Sequence, residues 1–256
     1  MMDVPETNDR DLTGRVCLVT GAASGIGKGI ATRLAEEGAV VVIADLNGEA
    51  ADQTATELGG GAIGVAVDVS DRDAVDAMTE TVMETFGRID VLVNNAGWDK
   101  VGPFLDSEVE IWNRVIDINL YGTLHCCQSV VRKMVDQGHG TVINIGSDAA
   151  RVGSSGEAVY SACKGGVVAF TKTLAREVAR HGITANAVCP GPADTPLFAA
   201  ISEENPKLRT ALEKAIPLRR LAQPEDLANA VAFMASPASN YITGQTLSVS
   251  GGLTMI

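Results

Sequence analysis

The sequence predicts a single α/β domain built on a doubly wound, parallel sheet. Short apolar runs rich in β-branched residues, such as Val16–Thr20 and Val40–Ala44, are typical of strands that are covered on both faces. Segments with apolar residues at helical spacing follow these runs, and strand and helix alternate with little variation. The 256 residues, 46% of them hydrophobic, are enough for one sizeable core.

The first predicted strand, Val16–Thr20, runs into a glycine-rich turn and then into a helix that ends near Gly38. Glycines in such a turn let the backbone approach a pyrophosphate, and the free N–H groups of the first helical turn attract the anion. The spacing is G-x-x-x-G-x-G, not G-x-G-x-x-G, and a purely structural turn is the alternative. The candidate phosphate contacts are Gly21, Ser24, Gly25, Ile26 and Gly27.

The second strand, Val40–Ala44, ends at Asp45, which Leu46 follows. A carboxylate at this strand tip can accept hydrogen bonds from both ribose hydroxyls of a dinucleotide, and it would repel a 2′-phosphate. No arginine or lysine stands at positions 22–24 or 46–48 to offset that repulsion. We therefore predict NAD as the cofactor, with Asp45 and Leu46 at the adenosine ribose. The alternative is that Asp45 caps the helix predicted for residues 47–58.

Polar residues also follow the third and fourth strands, which we predict at 63–67 and 91–93. Asp68 could accept a hydrogen bond from an adenine amino group while Val69 packs on the ring. Equally, residues 70 and 71 could simply cap the helix predicted at 71–86. After the fourth strand, the carboxamides of residues 94 and 95 can bridge neighbouring strands. The small residues Ala96 and Gly97 then leave room for a ligand, so Asn95, Ala96 and Gly97 are further candidate cofactor contacts.

Three further strands, at 142–145, 185–188 and 246–249, complete a seven-stranded sheet. Helices are predicted at 108–135 and 225–235. The segment 190–195 breaks regular structure, and residues 196–218 lack a core pattern. We predict a substrate lid at about 193–218.

Tyr160 and Lys164 are four residues apart and share one face if their segment is helical. A free tyrosine titrates near pH 10, so forming its phenolate at pH 7 requires roughly 4 kcal/mol. A cation about 4 Å away, at an effective dielectric of about 20, supplies an energy of that size. The pair could therefore move a proton on or off an alcohol. The alternative is a packed ring beside a solvated ammonium.

Composition excludes several classes of function. The formal net charge of −12 disfavours nucleic acid and anionic membranes as partners. The five cysteines and three histidines lack metal-binding spacing, so we predict no metal site and reduced core thiols. Residues 1–10 are polar and acidic, which predicts a disordered tail ahead of a domain at 11–256 and no targeting segment. A cytoplasmic protein that does not enter membranes is expected.

Taken together, these motifs resemble the short-chain dehydrogenase/reductase family over nearly the whole chain. The residues that carry the resemblance are Thr20 to Gly27, Asp68, Asn94 to Gly97, Asn119, Ser147, Tyr160, Lys164, Pro190, Gly191 and Thr195. The resemblance implies a single Rossmann-type domain, NAD-linked alcohol dehydrogenase or ketoreductase activity, and a homotetramer.

The resemblance also implies roles for individual residues. Ser147 would hydrogen-bond the substrate oxygen, and Tyr160 would be the acid and base. Lys164 would lower the pKa of Tyr160 and bind the nicotinamide ribose, and Asn119 would hold a water of a proton relay. The nicotinamide carboxamide would contact Pro190, Gly191 and Thr195.

A closer likeness lies in Trp98-Asp99, in the unbroken stretch 147–160 and in the tail 250–255. These segments resemble the NAD-linked β-hydroxyacyl-CoA dehydrogenases of alicyclic acid degradation, which implies a substrate such as 2-hydroxycyclohexanecarboxyl-CoA. Basic residues could then form a rim for the CoA phosphates, although a solvated surface is the alternative. The candidates are Arg151, Lys207, Arg209, Lys214, Arg219 and Arg220.

Two other functions remain open. One is a 3-oxoacyl-carrier-protein reductase, an activity that usually goes with NADP and against which Asp45 argues. The other is a non-catalytic NAD-binding sensor. Tyr160 argues against it, because a sensor does not need a phenol whose pKa is adjusted for proton transfer.

Overall fold

A seven-stranded sheet forms the centre of the computed structural model, which describes residues 11–196, 198, 199, 202 and 206–256. Its strands are β1 (Val16–Thr20), β2 (Val40–Asp45), β3 (Ile63–Ala66), β4 (Val91–Asn94), β5 (Gly140–Ile145), β6 (Ile183–Pro190) and β7 (Thr246–Val249). All neighbours pair in parallel, in the order β3-β2-β1-β4-β5-β6-β7. The predicted α/β class and seven-stranded parallel sheet are confirmed.

Helices cover both faces of this sheet. They are α1 (Gly25–Glu36), α2 (Gly48–Leu58), α3 (Arg72–Phe86), α4 (Val109–Ile116), α5 (Gly122–Gln137), α6 (Ala149–Val152), α7 (Ala158–Val178), α8 (Pro206–Ala215) and α9 (Pro224–Ala235). Helices α1, α2 and α9 pack into one core, and α3, α5 and α7 pack into the other. Within β1, Cys17 and Val19 face the first core while Val16 and Leu18 face the second, which explains why the strand is apolar throughout.

The order of the strands reverses between β1 and β4. From β1 the chain proceeds outward to β2 and β3, then returns to β4 on the other side of β1 and continues to β7. Connections on the two sides of this point diverge and leave a crevice at the carboxyl ends of the strands, where ligands bind in open α/β sheets. The polar segments that follow β1, β2, β4, β5 and β6 all lie at this edge.

The predicted helix at 108–135 is interrupted by one π-helical turn, Asp117–Tyr121, between α4 and α5. The Asn119 amide Nδ2 donates to the main-chain oxygen of Val115, and the Thr123 hydroxyl donates to that of Asn119. Side chains thus bind main-chain carbonyl groups near the π-helical turn, where the regular pattern of helical hydrogen bonds is interrupted. The prediction of one uninterrupted helix was wrong in this detail. The π-helical turn is the segment that carries Asn119.

Parts of two predictions lie outside the described residues. These are the disordered tail at 1–10 and positions 197, 200, 201 and 203–205 of the lid. In the described part of the lid, α8 forms, and Ile216 after it is buried. Among the described helices, none has the length and apolar character needed to cross a bilayer.

Candidate active site

The turn between β1 and α1 has a shape that requires glycine. A Cβ built on Gly27 would lie 2.0 Å from the main-chain oxygen of Gly21, and one on Gly21 would lie 2.9 Å from Cα of Ala96. Gly21 also has a φ of +62°, which side chains disfavour. Ser24 precedes α1 without capping it through its side chain, so its hydroxyl does not occupy the first-turn N–H groups. This backbone suits a pyrophosphate, because the donors are open and no Cβ blocks the approach.

Asp45 lies at the tip of β2 and is held toward this turn. Its Oδ2 accepts a hydrogen bond from the N–H of Ala23 at 3.0 Å, and its Oδ1 accepts one from the N–H of Asn47 at 3.0 Å. Asn47 itself caps α2, because its side chain accepts from the N–H of Ala50. The alternative role of Asp45 as the helix cap is therefore wrong. The carboxylate stays at the strand tip beside Leu46, whose side chain is exposed.

After β3, capping and the candidate nucleotide contact belong to different residues. Asp71 caps α3 by accepting from two first-turn N–H groups. Asp68 is exposed, and its Oδ1 binds the main-chain N–H and the hydroxyl of Ser70. Val69 is buried in the second core, where its side chain lies close to Gly122. The contacts of Asp68 and Val69 with adenine remain predictions.

The carboxamides of Asn94, which ends β4, and of Asn95, which follows it, connect three strands. Asn95 Nδ2 donates to the main-chain oxygens of Thr20 and of the residue after it, both at 3.0 Å. The Thr20 hydroxyl in turn accepts from the N–H groups of Asn95 and Ala96. Asn94 donates to Oδ1 of Asn144 on β5 at 2.8 Å. Sequence reasoning assigned no individual role to Thr20, the last residue of β1, yet this residue joins the glycine turn to β4.

The four predicted catalytic side chains come from three segments and meet at this edge. Tyr160 and Lys164 lie on α7, and the Lys164 ammonium is 5.6 Å from the centre of the Tyr160 ring. Lys164 is buried and donates to the main-chain oxygen of Ile145, the last residue of β5, at 2.9 Å. Ser147 follows β5, and its hydroxyl is near enough to the Tyr160 phenol to lower the pKa of that phenol. The structure thus brings the predicted phenol, hydroxyl and ammonium together.

Asn119 approaches the same place from the π turn. Its Nδ2 donates to the main-chain oxygens of Trp98 at 2.6 Å and of Val115 at 2.9 Å. Its Oδ1 is buried and has no hydrogen-bond partner in the described part of the chain. A Cβ built on Gly97 would lie 2.9 Å from this oxygen and 3.7 Å from Nζ of Lys164. The two polar atoms therefore flank Gly97, which fits an acceptor that holds a relay water near Lys164.

The protonation equilibria differ from the expectation that Lys164 lowers the pKa of Tyr160. Burial, followed by the negative charges of Glu157 and Asp99, raises the pKa of Tyr160 well above its ordinary value, and the hydrogen bond with Ser147 opposes this only in part. Burial lowers the pKa of Lys164 to about 8. The ammonium compensates part of its desolvation by binding a carbonyl oxygen.

The loop after β6 closes the crevice beside the glycine turn. Gly191 donates its N–H to the main-chain oxygen of Val249, and a Cβ built on it would lie 2.7 Å from Cβ of Ser250. A Cβ built on Gly25 would lie 3.8 Å from Cβ of Thr195. Thr195 is thus next to the turn, and the contacts of Pro190, Gly191 and Thr195 with a nicotinamide carboxamide remain predictions.

An open cavity lies beside the residues that precede Tyr160. Apolar side chains line much of it, including Trp112, which stacks on Phe104 with ring centres 5.2 Å apart. Asp99 and Glu157 line it too, and sequence reasoning gave neither a role. The only local signal was that Glu157 precedes Tyr160 by three residues, nearly one helical turn.

The predicted basic rim is largely committed to contacts within the chain. Arg209 pairs with Asp194 at 2.5 Å, and Arg220 pairs with Asp226 at 2.5 Å. Arg151 donates to the Ser248 hydroxyl and to the main-chain oxygen of the last residue. The other three candidates are exposed: Lys207, Lys214 and Arg219. Neighbouring carboxylates thus neutralise two of the six candidates.

Comparison with known proteins agrees with this geometry. Residues 21–254 match the family model described as enoyl-(acyl carrier protein) reductase. The chain is 45% identical to a 3-oxoacyl-(acyl-carrier-protein) reductase of Synechocystis over 249 residues, which cover 95% of this chain and 98% of the relative. It is 40% identical to the (2S)-((R)-hydroxy(phenyl)methyl)succinyl-CoA dehydrogenase subunit BbsD of Thauera aromatica, over 95% of this chain and 98% of the relative.

Among solved structures, a protein of Sinorhizobium meliloti described as a short-chain alcohol dehydrogenase superimposes with a TM-score of 0.91 at 36% identity, covering 95% of this chain and 98% of its own. The matches extend over the glycine turn, the strand ends and α7. The chain therefore belongs to the short-chain dehydrogenase/reductase family, whose members are nicotinamide-dependent oxidoreductases of hydroxyl and keto groups.

Proposed function

We propose that this protein interconverts a 3-oxoacyl thioester and the matching 3-hydroxyacyl thioester. The observation that supports the chemistry is the meeting of Tyr160, Ser147 and Lys164 beside the glycine turn. Support for the substrate class comes from relatives of nearly the same length, which are named for 3-oxoacyl-(acyl-carrier-protein) and for a hydroxyacyl-type CoA thioester.

In the reductive direction, Ser147 donates a hydrogen bond to the substrate carbonyl oxygen, and Tyr160 transfers its phenolic proton to that oxygen. The reduced nicotinamide supplies the hydride that the carbonyl carbon receives. A new proton then reaches Tyr160 by way of Lys164 and a water that Oδ1 of Asn119 holds. Oxidation is the reverse, with the Tyr160 phenolate accepting the hydroxyl proton.

We propose NAD as the natural cofactor because of Asp45. Its carboxylate lies at the tip of β2 with its two oxygens bound to the N–H groups of Ala23 and Asn47. Ribose hydroxyls can donate to the remaining lone pairs, whereas a 2′-phosphate would meet a fixed negative charge.

The carrier of the acyl group has two candidates. Most of the similar proteins are named as reductases of acyl-carrier-protein thioesters. Their names favour the alternative function, a 3-oxoacyl-carrier-protein reductase, over a dehydrogenase of an alicyclic CoA thioester. A CoA thioester such as 2-hydroxycyclohexanecarboxyl-CoA is the second candidate, supported by Asp45 and by the CoA dehydrogenase subunit among the relatives. The predicted cytoplasmic location and homotetramer accompany either candidate as proposals.

The test measures turnover of 3-oxoacyl thioesters on both carriers with NADH and with NADPH. Tyr160→Phe should lower kcat/KM by about a hundredfold to ten-thousandfold, the usual contribution of an acid-base group, and leave NADH affinity nearly unchanged. Tyr241→Phe removes the same hydroxyl from a fully exposed side chain and should keep full activity. Unchanged turnover in Tyr160→Phe, or a wild-type protein that reduces none of these thioesters, would contradict the proposal.

A further inference from the structure

A hydroxyl on β7 connects two charged side chains that follow Ser147 in the chain. The Ser248 hydroxyl donates to Oδ1 of Asp148 at 2.6 Å and accepts from Nη1 of Arg151 at 2.6 Å. These directions are fixed, because a carboxylate only accepts hydrogen bonds and a guanidinium only donates them. Each bond has one charged partner and belongs to the stronger class of hydrogen bonds. Ser248 therefore bridges two opposite charges between β7 and the segment after β5.

The Asp148 carboxylate depends on this bridge. Asp148 is only 5% exposed, and its Oδ2 is buried without a hydrogen-bond partner in the described part of the chain. Within that part, the hydroxyl of Ser248 supplies the hydrogen bond that the carboxylate receives. A buried carboxylate without a donor is costly, so loss of this hydroxyl would drive the segment to move until water reaches the carboxylate.

The same segment determines the orientation of the Ser147 hydroxyl. The N–H of Ala149 donates to Oγ of Ser147 at 3.1 Å, and the N–H of Asp148 donates to the main-chain oxygen of Pro190 at 3.1 Å. A hydroxyl has one proton to donate, and a bond accepted at its oxygen restricts the direction of that proton. Displacement of residues 148 and 149 would therefore turn the hydroxyl of Ser147.

Arg151 attaches the other end of the segment to the same hydroxyl. It lies on α6, and its Nη2 also donates to the main-chain oxygen of Ile256. The planar guanidinium holds its two acceptors in a fixed relation to each other. Asp148 at the beginning of the segment and Arg151 at its end are thus both held by Ser248.

We propose that Asp148, Arg151 and Ser248 are positioning residues that act through Ser147: together they hold segment 148–151 against β7 and keep the Ser147 hydroxyl directed at the substrate carbonyl oxygen. The inference rests on the proposed function, because it depends on the hydrogen bond that Ser147 donates in that reaction. A misplacement of about 1 Å at a reacting group can reduce turnover about a hundredfold, so the arrangement of this segment affects the rate.

The first test removes the bridge and measures the reduction of one 3-oxoacyl thioester by NADH. Ser248→Ala should lower kcat about tenfold to a hundredfold. KM for NADH should stay within about twofold of the wild-type value, because the Ser248 hydroxyl contacts none of the candidate cofactor residues. Ser248→Thr keeps the hydroxyl on a residue that suits a strand, so it should restore kcat.

Thr246→Val is the matched control, because it removes a hydroxyl from the same strand. Oγ1 of Thr246 is buried and has no hydrogen-bond partner among the described residues. The kcat of this variant should equal that of wild type. If Ser248→Ala turns over as fast as Thr246→Val, the inference is overturned.

A double-mutant cycle separates the positioning of Ser147 from a general effect on stability. Ser147→Ala alone should lower kcat about a hundredfold to a thousandfold. Adding Ser248→Ala to Ser147→Ala should then change kcat by less than about twofold, because the hydroxyl that the bridge positions is already absent. A loss in the double variant as large as that caused by Ser248→Ala alone would show a role independent of Ser147 and contradict the inference.

Hydrogen exchange followed by mass spectrometry tests the bridge without turnover. Main-chain bonds such as that from the N–H of Arg151 to the oxygen of Asp148 protect the amides of this segment. Ser248→Ala should speed exchange at residues 149–153 and leave β1 as protected as in wild type. Equal exchange of this segment in Ser248→Ala and Thr246→Val would contradict the role of the bridge. If the wild-type protein reduces no thioester, the proposed function fails, and hydrogen exchange still decides whether Ser248 holds the segment.

Discussion

Replacing Asp45 with Asn should change which dinucleotide binds. The Asp45 carboxylate is fixed at the end of β2 by two N–H groups, each 3.0 Å from one of its oxygens, so it cannot move far from an approaching phosphate. Two like charges roughly 4 Å apart, at an effective dielectric between about 20 and 80, repel by about 1–4 kcal/mol. Asp45→Asn removes this repulsion and should tighten NADPH binding about 30-fold to 150-fold, which corresponds to about 2–3 kcal/mol.

The same change should weaken NADH binding about tenfold, since hydrogen bonds from ribose hydroxyls to a charged acceptor become bonds to a neutral amide. Both affinities can be measured by quenching of intrinsic fluorescence, because the two tryptophans, Trp98 and Trp112, lie near the crevice and its cavity. Glu84→Gln removes one charge from an exposed position near the end of α3 and controls for net charge. If NADPH affinity in Asp45→Asn rises no more than in Glu84→Gln, the electrostatic reasoning about cofactor choice is wrong.

Two further changes test other parts of the structure. Gly97→Ala would place a methyl group 2.9 Å from Oδ1 of Asn119 and 3.7 Å from Nζ of Lys164, so kcat should fall at least about tenfold while the melting temperature stays close to that of wild type. At the other end of the sheet, burial opposes ionisation of Asp90, but hydrogen bonds led by that from Arg88 hold its pKa below the ordinary value. Its stabilisation is therefore present above about pH 4 and is lost as the pH falls through the folded-state pKa. Asp90→Asn should lower the free energy of unfolding at pH 7 by about 1–3 kcal/mol and flatten its decline below about pH 4, as followed by denaturant unfolding at each pH.

The sequence predicted the elements whose signal is local. Strands such as β1 and β2 are buried on both faces, so each is an unbroken apolar run with no competing helical pattern. The turn after β1 could be assigned because close backbone approach at Gly21 and Gly27 leaves no space for a Cβ. The spacing of Tyr160 and Lys164 placed them on one helix for the same reason, since a fixed offset along a helix determines a shared face.

Contacts between distant segments could not be predicted in this way. Asp99 and Glu157 are 58 positions apart, and they line the same cavity because the loop after β4 packs near the start of α7. The pairing of Arg209 with Asp194 likewise requires the later part of the lid to fold back on its beginning. The π turn is a third case, because its amide and hydroxyl contacts occur within a sequence whose apolar pattern is compatible with one continuous helix.

Burial shifts the pKa values of both Tyr160 and Lys164, which their spacing in the sequence does not reveal. At an effective dielectric of about 20, a cation about 4 Å from the ring hydroxyl favours the phenolate, and the sequence prediction considered this attraction without the cost of burying both groups. Inside the protein, burial disfavours both charged forms, raising the pKa of the phenol and lowering that of the ammonium. The Lys164 ammonium compensates part of that loss at a carbonyl oxygen of β5, and Asp99 and Glu157 add negative charge on the side of the phenol. The protein's own groups thus raise the pKa of Tyr160 and favour its protonated form.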